Sequence, residues 1–127
     1  MEIGICSVFV DDQENALRVY TELLGFVKKA DIPVGEFRWL TVVSPADPEG
    51  VELLLEPNNH PAAQSYQEAI YEDGIPATMF FVDDLYVEYA LLNERGVEFA
   101  TPPTETEQMT FAVIDDMCGN LIQLVER

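Results

Sequence analysis

Phe9-Val10-Asp11-Asp12 returns as Phe81-Val82-Asp83-Asp84, 72 residues later in a chain of 127. Each copy ends an apolar run and opens a segment of helical periodicity, so the fold has to accommodate one supersecondary unit twice. After the first copy Ala16, Leu17, Tyr20, Leu23 and Leu24 recur at three-and-four spacing, one apolar stripe on a helix that Gly25 stops. After the second, Leu85, Tyr89, Leu91 and Leu92 do the same until Arg95-Gly96, a basic last turn followed by a glycine suited to the left-handed cap position.

Each helix is followed by a strand candidate, 26–30 and 97–101, and then by a break rich in proline or polar residues. Two further strands close each half, 38–43 and 51–56 in the first and 109–114 and 121–126 in the second. The six-residue turns 45–50 and 115–120 are matched between the last two strands. Both halves therefore read βαβββ, an α+β chain with module one at 1–57, a linker at 58–74 and module two at 75–127. Within the linker, Ala62, Ala63, Tyr66, Ala69 and Ile70 lie on one face of a short helix behind His60-Pro61, where proline suits the first turn. Asp11, Asp12, Asp83 and Asp84 fall at strand-to-helix junctions, where aspartate caps the helix amino terminus, and are read as caps rather than catalytic carboxylates.

The length suits one compact domain with its own core. No basic amino terminus precedes a long apolar stretch and the apolar runs are strand-sized, so a soluble, cytoplasmic protein without a signal peptide or membrane span is expected. Two isolated cysteines, Cys6 and Cys118, give neither metal-ligand spacing nor a disulfide framework. The formal charge of −18 repels phosphate backbones and anionic lipid surfaces, which argues against nucleic-acid and membrane partners. One histidine, no glycine-rich phosphate loop and no base beside either cysteine leave nothing from which to assemble a nucleophilic triad.

Val8-Phe9-Val10-Asp11-Asp12 with Ala16, Tyr20 and Leu24-Gly25-Phe26 resembles the opening signature of the glyoxalase, bleomycin-resistance and extradiol-dioxygenase group, the vicinal-oxygen-chelate superfamily. Gly119-Asn120-Leu121-Ile122-Gln123-Leu124 resembles its closing signature. The resemblance implies two modules curled into a cup-shaped, half-open mixed β-barrel with the helices outside, commonly paired as a homodimer. It also implies four inward side chains, on the first and last strand of each module, that usually ligate a divalent metal. Counting from the two aspartate pairs places Ile5 and Ala77 at the first-strand positions, and neither can bind a metal. Glu52 and Gln123 are matched to the last-strand positions, where both could donate oxygen. Two oxygen donors fall short of the three or four protein ligands of a tight transition-metal site, so no cofactor is expected and a divalent metal is disfavoured.

Alternation carries the argument along each strand, because residues two apart share a face. With Ile5 pointing inward, Ser7 and Phe9 follow; so do Glu52, Leu54 and Glu56, then Ala77, Met79 and Phe81, then Leu121, Gln123 and Val125. Cys6, Val8, Leu53 and Leu55 then face the helices. Trp39 would add a stacking surface, and Phe111 or Ala112 would do so in module two. The apolar inward residues are equally compatible with a closed core. Glu52 and Gln123 are the leading polar contacts and His60 a helix-start or rim residue.

The function expected is metal-independent binding of a small molecule by Ile5, Ser7, Phe9, Trp39, Glu52, Leu54, Ala77, Met79 and Gln123. The alternative is a diverged lyase, isomerase or dioxygenase with Glu52 as base and Glu52 and Gln123 as residual metal or substrate contacts. A third reading is an interaction protein whose cup is filled by its own side chains. Whether the chain is an enzyme, and on what, stays open at this level.

Overall fold

The computed structural model describes all residues, 1–127. Eight strands and three helices follow the order β1 (Ile5–Val10), α1 (Gln13–Arg18), β2 (Val27–Val34), β3 (Phe37–Val43), β4 (Glu52–Pro57), α2 (Pro61–Glu72), β5 (Thr78–Val82), α3 (Leu85–Glu94), β6 (Phe99–Glu105), β7 (Thr110–Asp115) and β8 (Leu121–Glu126). The chain divides into two compact units, Met1–Gln64 and Ser65–Arg127, with the division inside α2. Each carries one four-stranded mixed sheet, in order β1-β4-β3-β2 and β5-β8-β7-β6. In both, the first strand runs parallel to the last while the remaining pairs are antiparallel. These are tandem βαβββ modules, an α+β fold. No helix is long and apolar enough to cross a membrane.

The helix starts follow from the aspartates at 12 and 84. Asp12 is extended and its carboxylate accepts from the Asn15 amide; Asp84 accepts from the amides of Tyr86 and Val87. Of the four aspartates read as caps, only these two occupy the cap position, and Asp11 and Asp83 are exposed bend residues just past the ends of β1 and β5. Asp12→Ala and Asp84→Ala should each lower stability by about 1 kcal/mol. Asp11→Ala and Asp83→Ala should stay within about 0.5 kcal/mol of the parent in urea denaturation.

α1 continues as a wider π-type turn over Val19–Leu23, in which the Leu24 amide reaches back to the Val19 carbonyl. Gly25 then takes φ +86°, a left-handed value that a side chain would oppose.

The strands after the helices are longer than the sequence suggested. β2 runs through Pro33 to a two-residue turn at Gly35-Glu36, and β6 runs through Pro102-Pro103. Proline is tolerated because both strands are the edges of their own sheets, and the β6–β7 register shifts between Thr101 and Thr104.

One face of each sheet packs on its own helix. In the first unit Val8, Val10, Leu40, Val42 and Leu55 are buried with Ala16, Val19 and Tyr20 of the helix. In the second, Ala112, Ile114, Ile122 and Leu124 are buried with Leu85 and Leu92. At the edge of the first packing layer Arg38 forms a two-pronged pair with Asp31, 2.9 and 2.7 Å, and reaches Glu14. The guanidinium hydrogen bonds hold the Asp31 carboxyl below its ordinary pKa, and Asp31 and Glu14 push that of Arg38 up.

Candidate functional site

The opposite face of each sheet carries nearly every residue expected to meet a ligand. In the first unit the β1–β4 register pairs Ile5 with Glu52, Ser7 with Leu54 and Phe9 with Glu56. The β3–β4 register sets Thr41 against Leu54, and alternation puts Trp39 on that same face. These positions stand out from the buried helix side: Ile5 is 42% and Trp39 41% exposed, whereas Val8 and Leu55 are nearly inaccessible. Leu54, Thr41 and Val43 on this face are buried.

In the second unit Met79 pairs with Gln123, Phe81 with Val125, and Val125 in turn with Phe111. Phe111 rather than Ala112 therefore belongs to the exposed face, since Ala112 is fully buried on the helix side. Ala77 lies one residue before β5, with its amide donating to the Leu121 carbonyl. Leu121, Val113 and Val125 are buried, so this face is partly closed, yet Met79, Phe81 and Met109 stay exposed. Ile5, Ser7, Phe9, Trp39, Glu52 and Leu54 are thus gathered in one module, and Ala77, Met79 and Gln123 in the other.

The registers correct one equivalence. Ser7 pairs with Leu54 where Met79 pairs with Gln123, and Ser7 precedes Met79 by the repeat of 72. Leu54 is therefore the counterpart of Gln123, and Glu52 that of Leu121. The connection between the last two strands spans 44–51 in module one and 116–120 in module two, three residues shorter, which reduces the repeat in the last strand from 72 to 69. The shift of two leaves parity unchanged, so the same residues share a face.

The polar groups differ in how they are held. The Glu52 carboxylate accepts from the Thr41 hydroxyl at 2.7 Å, and that buried oxygen in turn accepts from the Ala30 amide at 3.1 Å. Gln123 points its amide at the Met109 sulfur, 3.8 Å away. His60 accepts from the Ala62 amide through Nδ1, a helix-start role. No three His, Cys, Asp or Glu side chains are grouped so as to hold a metal ion. With alkyl groups at Ile5, Leu54 and Ala77, the positions matched to the metal ligands offer one amide, which does not fit the donor set of a tight divalent site.

Three contributors were not singled out from the sequence. Thr41 orients Glu52; it is two residues from Trp39, so alternation could have found it. Arg127 lies over the Phe81 ring at 4.8 Å, and its parity with Gln123 and Val125 gives it away. Gln13, buried in the first turn of α1, sends Nε2 to the carbonyls of Arg38 (2.7 Å) and Leu55 (2.9 Å) and accepts from the Arg38 amide (3.0 Å). It takes the place of strand-to-strand bonds there, and the β3–β4 ladder is confined to Thr41–Leu54 and Val42–Leu53. In module two the same position is Leu85, and β7 and β8 stay paired from Phe111 to Asp115. Nothing in composition distinguishes such a glutamine from an ordinary helix residue.

The model of the Glyoxalase/Bleomycin resistance protein/Dioxygenase superfamily matches residues 2–124. The chain is 58% identical to the protein YurT of Bacillus subtilis (strain 168) over 127 residues, the whole of both chains. Among solved structures it is similar to UcmS2, with a TM-score of 0.86 and 30% identity over 100% of this chain and 98% of that one. It is also similar to TnmS3, an antibiotic binding protein from Streptomyces sp. CB03234, with a TM-score of 0.76 and 28% identity over 99% of this chain and 95% of that one. A family match over nearly the full length, on two βαβββ modules with the signature residues in their expected strands, places this chain in the Glyoxalase/Bleomycin resistance protein/Dioxygenase superfamily.

Proposed function

We propose that the protein is a metal-independent small-molecule-binding module of the bleomycin-resistance kind, taking an organic ligand on the exposed sheet faces. The observation that carries this is the replacement of ligating side chains by Ile5, Leu54 and Ala77 on faces that keep Trp39, Met79 and Phe81 exposed. Large aromatic and thioether side chains left accessible on a sheet suit a planar or apolar compound and contribute little to stability where they stand. The likeness to an antibiotic binding protein supports the same reading.

Trp39 is the single tryptophan of the chain and lies on the proposed surface, so its fluorescence reports binding directly. Purified protein incubated with Ni²⁺, Zn²⁺, Mn²⁺ or Fe²⁺ under anaerobic conditions and then desalted should retain no stoichiometric metal and melt at an unchanged temperature. Planar aromatic compounds should quench Trp39 and raise the melting temperature, corresponding to about 2.7 kcal/mol at a hundred times the Kd. Stoichiometric metal whose thermal shift disappears in Glu52→Ala or Gln123→Ala would overturn the reading in favour of lyase or dioxygenase chemistry.

A further inference from the structure

The repeat supplies one framework twice, and the polar groups present in only one copy point to the chemistry of the ligand. On the exposed face of module two, β5, β8 and β7 align Phe81, Val125 and Phe111 in one row and Met79, Gln123 and Val113 in the next. Arg127 continues the parity of Gln123 and Val125, and its amide donates to the Val82 carbonyl, as the Asn58 amide does to that of Val10 in module one. At the repeat of 69 found in the last strand, Gln123 and Arg127 stand where module one has Leu54 and Asn58. Module two thus carries an amide and a guanidinium in place of an alkyl group and a short neutral side chain.

These two side chains lean over the row of Phe81, Val125 and Phe111 from its two ends. The Arg127 guanidinium rests over the Phe81 ring, 4.8 Å from its centre. The Gln123 amide is directed at the sulfur of Met109, two residues before Phe111, at 3.8 Å. A thioether is a weak acceptor, and the amide oxygen of this half-buried side chain accepts from no group of the chain.

Arg127 takes part in no ion pair, in a chain of 24 acidic residues against six basic ones. The carboxylates of β6, β7 and β8 are committed elsewhere. Glu126 accepts from the Leu85 amide on the helix side, and Glu105 is hydrogen-bonded to Tyr86 there. Asp115 has the parity of the exposed face but stands opposite Leu121, six positions from Arg127, and is taken by the Tyr71 hydroxyl and the Met117 amide. A guanidinium in contact with a ring keeps its N–H donors for a second partner, and their planar fork matches a carboxylate. Repulsion by the net charge of −18 is screened over about 8 Å at physiological ionic strength, so the local contact decides.

We propose, building on the small-molecule-binding reading above, that module two takes a planar organic acid, with its carboxylate on the Arg127 fork beside Phe81 and a carbonyl oxygen of its frame on the Gln123 amide.

The test compares fluorenone-2-carboxylate with the neutral fluorenone-2-carboxamide at pH 8 and physiological ionic strength, read by calorimetry and thermal melting. The acid should bind about fivefold more tightly than the amide. Arg127→Gln should erase that preference and leave the affinity for the carboxamide as it was. Gln123→Leu should weaken both probes about fivefold and keep their ratio, because the ketone is common to them. Arg95→Gln, an exposed change of equal charge at the end of α3, should alter neither affinity, separating a local contact from the field of the whole surface. Equal affinities in the parent, or a preference that survives Arg127→Gln or falls as far in Arg95→Gln, would overturn the anion assignment while leaving the binding-module reading in place. Parental affinities in Gln123→Leu would overturn the amide as the second contact. Binding of neither probe, without a melting shift, would overturn both readings.

Discussion

Leu55→Ala should lower the free energy of unfolding by about 3 kcal/mol, while Ile5→Ala, on the same sheet, should change it by no more than about 1 kcal/mol. Leu55 is fully buried on the helix side of β4, so truncation removes three carbons from a packed layer and leaves a cavity beneath α1. Ile5 lies on the opposite face at 42% exposure, where the lost methyl groups were already in contact with water. The two residues belong to adjacent, paired strands, so differences in strand propensity are small beside the burial term. Urea denaturation with a common m value would measure both. A cost for Ile5→Ala as large as that for Leu55→Ala would mean that the exposed face is packed as core, and the ligand surface proposed for module one would fall with it.

Period-two alternation is what made these faces legible. With Ile5 directed inward, Ser7, Phe9, Glu52, Glu56, Met79, Phe81 and Gln123 follow by parity, and the registers pair Ser7 with Leu54, Phe9 with Glu56 and Met79 with Gln123. The repeat was legible because its first strand, helix and glycine stop keep nearly one spacing. It misled only past the third strand, where residue chemistry, two oxygen donors 71 apart, outweighed a connection three residues shorter in module two. Long-range polar contacts were not legible at all. The bond from Gln13 to Leu55 spans 42 positions and that from Gln67 to Asn120 spans 53, and no local pattern marks either. α2 illustrates the same limit: read as a linker, it places Gln67 against module two and belongs in part to that unit.

The contact made by Gln67 leads to the second large effect, Asp116→Ala, expected to cost about 3 kcal/mol. Asp116 is 1% exposed, and its carboxylate accepts three hydrogen bonds: the amides of Cys118 and Asn120 at 2.8 and 3.0 Å, and the Asn120 side chain at 2.8 Å. Removing it strands those donors in a buried turn that water reaches poorly. The same turn holds Met117 at φ +59° and Gly119 at φ +98°, and Gln67 donates into it at the Cys118 carbonyl and Asn120 Oδ1, both 3.1 Å. A methyl group on Gly119 would meet the Gln67 amide nitrogen at 2.7 Å, so Gly119→Ala combines backbone strain with the loss of those two bonds and should cost about 2 kcal/mol. Because the turn leads directly into β8, its loosening should also blur the position of Gln123. Asp116→Ala should lower the urea midpoint, as Leu55→Ala should. An Asp116→Ala protein within about 0.5 kcal/mol of the parent would show that the turn keeps its shape without the carboxylate.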